Sequence, residues 1–215
     1  YESGYKTLLV EDGLKALQDL ARDFRNTLSI PVIGLTGSNG KTTTKELLFS
    51  VLSQKFHCYA TAGNLNNHIG VPLSILQIKP NHEVAVIEMG ANKQGDIKEL
   101  VEIAQPTHSL ITNIGKAHLE GFGGEAGVRK GKGELFDYVA QHGGTVFLPK
   151  DKNVVHEMSK ERGINTFVLA DEAMPTKLIE AKPTVTFSCA DGSLVQLGYG
   201  SRQRRIWTAE TDRTS

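Results

Sequence analysis

The organisation of the chain follows from one segment, Ile33-Gly34-Leu35-Thr36-Gly37-Ser38-Asn39-Gly40-Lys41-Thr42-Thr43-Thr44. Apolar residues 30–35 lead into a loop with two glycines, and a segment of helical periodicity follows the loop. This order is typical of a phosphate-binding loop, in which backbone N–H groups and a helix N-terminus attract an anion. The sequence therefore predicts a nucleotide-binding site at this position.

The residue types after the loop suit this role. Lys41 can reach the β- and γ-phosphates, and the Thr42 hydroxyl can bind Mg²⁺. The usual pattern has a glycine where Leu35 stands, so an ordinary glycine-rich turn is the alternative, but Gly-Lys-Thr between a strand and a helix disfavours it. The residues predicted to bind the nucleotide are Thr36, Gly37, Ser38, Asn39, Gly40, Lys41, Thr42 and Thr43, with Asn113 from a later loop.

Composition excludes several classes of protein. The 215 residues carry 24 basic and 24 acidic side chains, so no charge excess indicates a nucleic acid or an anionic membrane as partner. No apolar run approaches the ~20 residues that span a bilayer. Cys58 and Cys189 are too few for a disulfide framework or a metal cluster, and reduced thiols are typical of a cytosolic protein.

Strand-like and helix-like segments alternate along most of the chain. This order predicts an α/β fold with a doubly wound, mostly parallel sheet, whose ligands bind at the carboxyl ends of the strands. Residues 185–189 and 194–197 alternate in polarity around Asp191-Gly192, which predicts a C-terminal antiparallel hairpin. From residue 199 onward no period is present, and we expect a disordered or non-native tail.

Further polar residues follow the predicted strands, on the same edge as the phosphate loop. Glu88 ends a buried run and is placed to bind Mg²⁺. His118 lies in a glycine-rich loop after the strand predicted at residues 108–114. Lys132 shares a helix face with apolar residues, and three glycines surround it although each costs a helix about 1 kcal/mol relative to alanine. The glycines indicate either a close backbone approach near Lys132 or a weak, exposed helix start.

Together these residues resemble the ATP-dependent Mur ligase family, which builds the peptide of bacterial cell-wall precursors. The family hallmark, Thr-Gly-(Ser/Thr)-Asn-Gly-Lys-Thr, is met by residues 36–42, and the family tolerates the non-glycine Leu35. The resemblance runs from about residue 32 to residue 136. The other segments that carry it are Gly63-Asn-Leu-Asn-Asn-His-Ile-Gly-Val-Pro, Glu88-Met-Gly-Ala, Asn113-Ile-Gly-Lys-Ala-His-Leu-Glu-Gly-Phe-Gly and Lys130-Gly-Lys-Gly-Glu-Leu-Phe.

The resemblance implies a reaction and its cofactors. It is closest to the branch that adds D-alanyl-D-alanine to UDP-N-acetylmuramoyl-tripeptide, so these two molecules are the expected partners, with ATP and two Mg²⁺ ions as cofactors. Lys41, His118 and Lys132 are the implied catalytic residues. Lys132, four residues before Phe136, matches a lysine that the family carbamylates better than Lys130 does. The implied metal ligands are Thr42, Glu88, His118 and Lys132, and Asn66 and Asn67 are the implied substrate residues.

The resemblance also implies a division into domains. Residues 1–29 are expected to be the end of an N-terminal domain with its linker helix, residues 30–198 the central ATP-binding domain, and residues 199–215 the tail. A C-terminal domain is not expected within these 215 residues, so the chain is expected to be a fragment that is inactive in ligation by itself. The expected protein is monomeric and lies in the bacterial cytoplasm.

Two alternatives remain open from the sequence. Folylpolyglutamate synthase shares the ATPase core and the chemistry, although its loop usually continues Gly-Lys-Gly-Ser where this chain has Gly40-Lys41-Thr42-Thr43. A non-catalytic nucleotide-binding module is the second alternative. Such a module would bind nucleotide without a second metal ion or a modified lysine.

Overall fold

A computed structural model describes residues 9–116, 118–148, 154–168, 184–188, 194–199 and 207–212. Within these ranges the helices are α1 (Gly13–Asn26), α2 (Lys41–Leu52), α3 (Gly70–Leu76), α4 (Asp96–Ala104), α5 (Leu119–Phe122), α6 (Glu125–Gln141) and α7 (Val154–Lys160). The strands are β1 (Val32–Thr36), β2 (Cys58–Ala60), β3 (Val84–Glu88), β4 (His108–Ile111), β5 (Thr145–Leu148), β6 (Asn165–Val168), β7 (Thr184–Ser188), β8 (Leu194–Tyr199) and β9 (Trp207–Asp212). None of the described helices is both long and apolar enough to cross a bilayer.

The first six strands form one sheet in the order β2-β3-β1-β4-β5-β6. The pairs β2–β3, β3–β1, β1–β4 and β4–β5 are all parallel. Leu35 is in register with Glu88 of β3 and with Leu110 of β4, so the carboxyl ends of the three central strands lie at one edge. Strands β2 and β3 lie on one side of β1, and strands β4, β5 and β6 lie on its other side. This change of direction creates the switch point at which such sheets bind ligands.

Two hydrophobic clusters cover the two faces of this sheet. Residues of a strand point alternately to opposite faces, so Ile33 and Leu35 pack with Leu48 and Leu52 of α2 on one face. On the other face, Val32 packs in a larger cluster with residues of α1, α3, α4 and α6. The predicted doubly wound α/β fold is confirmed.

The last strands form a separate unit. The chain divides into two compact units, residues 1–167 and 168–215, and β7, β8 and β9 form an antiparallel sheet in the second. The pairing of Val185 with Leu197 confirms the predicted hairpin, whose turn at Asp191-Gly192 lies outside the described residues.

The expected central domain at 30–198 includes this hairpin, and the division into compact units falls within that range, after residue 167. One expectation for this end of the chain differs from the structure. We expected residues 199–215 to be disordered or non-native, yet β9 pairs with β8 along its length, with Trp207 opposite Tyr199. A mostly polar sequence can form this strand because its backbone groups are hydrogen-bonded to β8. Such pairing does not require an alternating apolar pattern. The remaining residues of the tail lie outside the described ranges.

Candidate functional site

The phosphate loop leaves β1 at Thr36 and enters α2 at Lys41. Gly40 has φ +76° at the N-cap of α2, a left-handed conformation that glycine adopts without strain. Gly37 packs directly on Thr112, and a Cβ atom at this position would collide with the Thr112 hydroxyl. The two glycines therefore serve different needs, because Gly40 turns the backbone and Gly37 gives room beside the next strand.

The loop is braced by the segment that follows β4. Asn113 accepts a hydrogen bond from Asn39 N at 3.1 Å through Oδ1 and donates to Asn39 O at 3.1 Å through Nδ2. The Thr112 hydroxyl also donates to Asn39 O at 2.7 Å, and Ser38 exchanges hydrogen bonds with the backbone of Gly115. β4 ends at Ile111, three residues earlier than predicted, because these residues turn to the loop. Asn113 thus shapes the predicted nucleotide site through the backbone of Asn39.

The predicted phosphate and metal residues lie on the first turn of α2. Lys41 Nζ donates to Gly37 O at 2.9 Å, so its ammonium lies against the loop in which it is predicted to bind phosphate. The exposed Thr42 donates its hydroxyl proton to Glu88 Oε1 at 3.2 Å. Thr43 is exposed, whereas Thr36 is buried and its hydroxyl has no hydrogen-bond partner among the described residues.

Glu88 is completely buried at the end of β3. Its Oε1 also accepts a hydrogen bond from Asn66 Nδ2 at 2.8 Å, and its backbone N–H donates to Thr61 Oγ1 at 3.0 Å. Glu88 Oε2 has no hydrogen-bond partner in the described part of the chain. A buried carboxylate oxygen without a hydrogen-bond partner destabilises the folded state. A cation bound at Oε2 would offset this destabilisation.

These groups fit Mg²⁺. The ion prefers oxygen ligands, and it is usually held by one or two carboxylates with waters and substrate phosphates. Glu88 and the adjacent Thr42 hydroxyl provide such oxygens. No group of three or more His, Cys, Asp or Glu side chains with metal-site geometry occurs among the described residues, so an all-protein cage is not the arrangement found here.

A cavity of about 540 Å³ opens beside these residues. Its lining brings together the predicted substrate residues Asn66 and Asn67 with two predicted catalytic residues, Lys41 and His118. The asparagine loop is fixed in place because Asn66 O accepts from Gly90 N at 2.7 Å and Asn67 Oδ1 accepts from Gly70 N at 2.9 Å. An acceptor substrate in this cavity would lie between the phosphate loop and His118.

His118 is exposed and has φ +56°, a left-handed conformation that is uncommon outside glycine. It stands directly before the one-turn helix α5, where the sequence predicted only a loop. Strained backbone of this kind clusters at functional sites, and here it accompanies a side chain that lines the cavity.

Lys132 is buried on α6, with only 1% of its surface exposed. Its ammonium lies 5.2 Å from the centroid of the Phe122 ring. The pKa of Lys132 is lowered from its usual 10.5 to about 8, mainly by burial and also by repulsion from Lys41, against an opposing effect of Asp96. The repulsion places Lys132 in the same electrostatic environment as the phosphate loop.

The glycines around Lys132 lie where other parts of the chain approach α6 closely. This observation decides between the two interpretations of these glycines, a close backbone approach and a weak helix start. A Cβ atom at Gly127 would collide with the Phe122 carbonyl, and one at Gly131 would meet the Phe122 ring. At Gly133 it would lie 2.7 Å from Arg162 Nη2. The glycine-rich segment therefore forms a regular helix that approaches α5 and Arg162 closely, and it is not a weak helix start.

Two residues that support the site were not predicted from the sequence. Lys45 is completely buried on α2 and donates to the backbone of the segment after β2. Thr61, at the start of that segment, receives the Glu88 backbone N–H. The available signal was weak, because a lysine four residues after Lys41 on a polar helix start is typical of a solvated side chain.

Comparison with known proteins agrees with this geometry. Residues 35–202 match the family described as the Mur ligase middle domain. The UDP-N-acetylmuramoyl-tripeptide–D-alanyl-D-alanine ligase of Bacillus subtilis is 39% identical over 165 residues, which cover 75% of this chain and 36% of that protein. The chain spans about a third of the length of the curated relatives it matches.

Solved structures separate the two ligase alternatives. The MurF ligase of Thermotoga maritima in complex with ADP is 30% identical, with a TM-score of 0.69 over 96% of this chain and 47% of that chain. The folylpolyglutamate synthase of Mycobacterium tuberculosis has a TM-score of 0.54 over 86% of this chain and 50% of that chain, but at 15% identity it shares only the fold. From its matched sequence and its fold, the chain belongs to the Mur ligase family and contains the middle domain of these ligases.

Proposed function

We propose that this chain is the ATP-binding part of an enzyme that joins D-alanyl-D-alanine to UDP-N-acetylmuramoyl-tripeptide. The observation that carries the proposal is the junction of Thr42, Glu88 and Asn66 through hydrogen bonds of 3.2 and 2.8 Å. It connects the phosphate loop with a residue of the cavity, as a reaction between ATP and an acceptor requires. The names of the sequence relatives supply the substrates of the proposal.

The proposed reaction has two steps. The terminal carboxylate of the tripeptide attacks the γ-phosphorus of ATP, and an acyl phosphate and ADP are formed. The amine of D-alanyl-D-alanine then attacks the acyl carbon and loses a proton. The carbon–oxygen bond to the phosphoryl group breaks, and inorganic phosphate leaves with the bridging oxygen and the electron pair. Two anions approach each other in the first step, so groups that compensate negative charge at fixed positions lower its barrier.

The residues of the site have distinct roles in this proposal. The loop N–H groups and Lys41 bind the terminal phosphates, with Lys41 leaving the Gly37 carbonyl to do so. Thr42 and Glu88 hold one Mg²⁺, and His118 and a carbamylated Lys132 serve a second. Bound Mg²⁺ supplies positive charge at the phosphate oxygens. Asn66 and Asn67, which line the same cavity, contact the acceptor.

The wider proposal is a monomeric enzyme in the bacterial cytoplasm, where ATP is present. The chain alone is proposed to keep the phosphate site but not to complete ligation, since its matched part covers only about a third of the length of the relatives. Phosphate release that depends on D-alanyl-D-alanine, measured with the 215-residue chain alone, would show this part of the proposal to be wrong.

The experiment that tests the function uses the full-length protein with ATP, Mg²⁺ and both substrates. We expect phosphate release that requires both the tripeptide and D-alanyl-D-alanine. Lys41→Ala should lower the rate of this release at least a hundredfold, which is the loss typical of removing one preorganised group. Near-normal turnover by Lys41→Ala would overturn the phosphate-loop assignment. Release with a folate and glutamate would favour the synthase alternative, and ATP binding without release would favour the non-catalytic module.

A further inference from the structure

Lys45 is a buried charge that the proposed reaction does not use. It lies on α2, one helical turn beyond Lys41, and it is completely buried. Its ammonium donates to Thr61 O at 2.7 Å and to Gly63 O at 3.0 Å, and it pairs with Glu46 Oε1 at 3.0 Å. An ammonium has three N–H donors, so these three acceptors satisfy it completely. Burial of such a charge is tolerated only with full pairing, which makes the two backbone carbonyls essential to its position.

The segment that Lys45 holds runs directly to the metal-binding carboxylate. Thr61 accepts the Glu88 backbone N–H at 3.0 Å, and Gly63 turns the chain with φ +54°. Three residues later, Asn66 donates to Glu88 Oε1 at 2.8 Å and accepts from Gly90 N at 2.7 Å. Both ends of the segment therefore contact Glu88, and Lys45 fixes the turn between them.

We infer that Lys45 is a positioning residue, which orients Asn66 and Glu88 through the turn at residues 61–63 and so sets the affinity of the site for Mg²⁺. The inference rests on the proposed function only in that Thr42 and Glu88 must hold the ion. Since Lys45 shares α2 with Lys41 and Thr42, one helix then controls both the phosphate contacts and the geometry of the carboxylate. Groups that orient metal ligands in this way typically change metal affinity by about 10–100-fold when they are removed.

The test compares ATP binding by the full chain with Mg²⁺ and with EDTA, using isothermal titration calorimetry. Lys45→Met keeps an unbranched side chain of similar length but removes the donors. We expect it to lower the Mg²⁺-dependent affinity about tenfold and to leave binding in EDTA nearly unchanged. Lys55→Met is the matched control, because Lys55 is an exposed lysine just after the same helix, and it should bind as the wild type does.

A double-mutant cycle separates positioning from a general loss of structure. If Lys45 acts through the loop, Lys45→Met should add little to the Mg²⁺-dependent loss already caused by Asn66→Ala. Additive losses, or equal losses with Mg²⁺ and with EDTA, would overturn the inference while the proposed function stands. Failure of the wild-type chain to bind ATP more tightly with Mg²⁺ would overturn the proposed function instead.

A second variant keeps the test decisive if Lys45→Met does not fold. Gly63→Ala strains the same turn only through its positive φ, because a Cβ atom there would meet nothing within 4 Å. We expect Gly63→Ala to weaken Mg²⁺-dependent binding in the same direction by a smaller factor. Wild-type Mg²⁺ dependence in a folded Gly63→Ala chain would show that the turn does not control the site.

Discussion

Replacement of Glu88 by glutamine should change stability in opposite directions with and without ligand. Glu88 is completely buried, its Oε1 accepts from Thr42 and Asn66, and its Oε2 has no partner among the described residues. Glutamine keeps an oxygen for the two donors and removes the buried charge. Without Mg²⁺ the substitution should therefore leave the free energy of unfolding unchanged or raise it by up to about 1 kcal/mol. The charge is removed, but the glutamine Nε2 takes the unpartnered position of Oε2 and keeps part of the cost of an unpaired buried group, about 1–3 kcal/mol.

With Mg²⁺ and ATP the effect should reverse. A ligand present at a hundred times its Kd stabilises the native state by about 2.7 kcal/mol. For a chain of this size, that corresponds to a rise in Tm of about 5–10 °C. If Glu88→Gln weakens binding a hundredfold, the stabilisation falls to about 0.4 kcal/mol and the rise in Tm to about 1 °C.

The assay is thermal unfolding followed by circular dichroism, with ATP in the presence of Mg²⁺ or EDTA. Glu102→Gln is the control, because it removes the same charge from an exposed position on α4. An equal Tm increase from Mg²⁺-ATP in Glu88→Gln and in the wild type would refute the assignment of Glu88 as a metal ligand. A large loss of stability without ligand would refute the argument that its charge is unfavourable there.

Two further predictions concern the loop and the buried lysine. Gly37→Ala should abolish ATP binding and destabilise the chain, because its Cβ would collide with Thr112. The Cβ of Gly40→Ala would meet no atom within 4 Å, so this variant should cost only about 1 kcal/mol of backbone strain. Equilibrium denaturation and calorimetry compare the two variants, and equal effects would contradict the packing argument. Lys132→Met should be more stable than the wild type at pH 7, because burial lowers the pKa of Lys132 to about 8 and its ammonium is unfavourable in the folded state. This stability advantage should shrink between about pH 8 and pH 10.5, where the unfolded chain binds the proton that the folded chain has lost. Denaturation midpoints of the variant and the wild type at pH 7 and pH 10 measure the advantage. A difference that stays constant with pH would exclude the titration of Lys132 as the cause of the advantage.

The order of the elements was predictable because local signals and tertiary structure agree in the first unit. β1 and β3 are five-residue, mainly apolar strands buried along their whole length. Glycines stand at the N-caps of α2, α4 and α6. β9 was not predictable in this way. Its residues lack an apolar pattern, and pairing with β8 depends on backbone groups that every sequence has.

Sequence signals for the candidate site are strong where the chemistry of a side chain is specific, and weak where the side chain acts on the backbone. Lys41, Thr42 and Glu88 have charges or oxygens that suit phosphate and Mg²⁺. In the structure, Lys41 contacts the loop at Gly37, and Thr42 contacts Glu88. Asn113 was predicted to bind the nucleotide, yet its amide holds the backbone of Asn39. Lys45 was missed for the same reason, since bonds to carbonyl oxygens leave no residue pattern.

The lowered pKa of Lys132 indicates an order in which the site is completed. A lysine reacts with carbon dioxide as the neutral amine, so desolvation and repulsion by Lys41, which lower the pKa to about 8, both favour carbamylation. A triphosphate bound over Lys41 would bring negative charge into the same region, raise the pKa of Lys132 and favour its ammonium form. Carbamylation, which the family resemblance implies, should therefore precede nucleotide binding. The new anion would then need a cation, and supplying that charge is the role proposed for a second Mg²⁺.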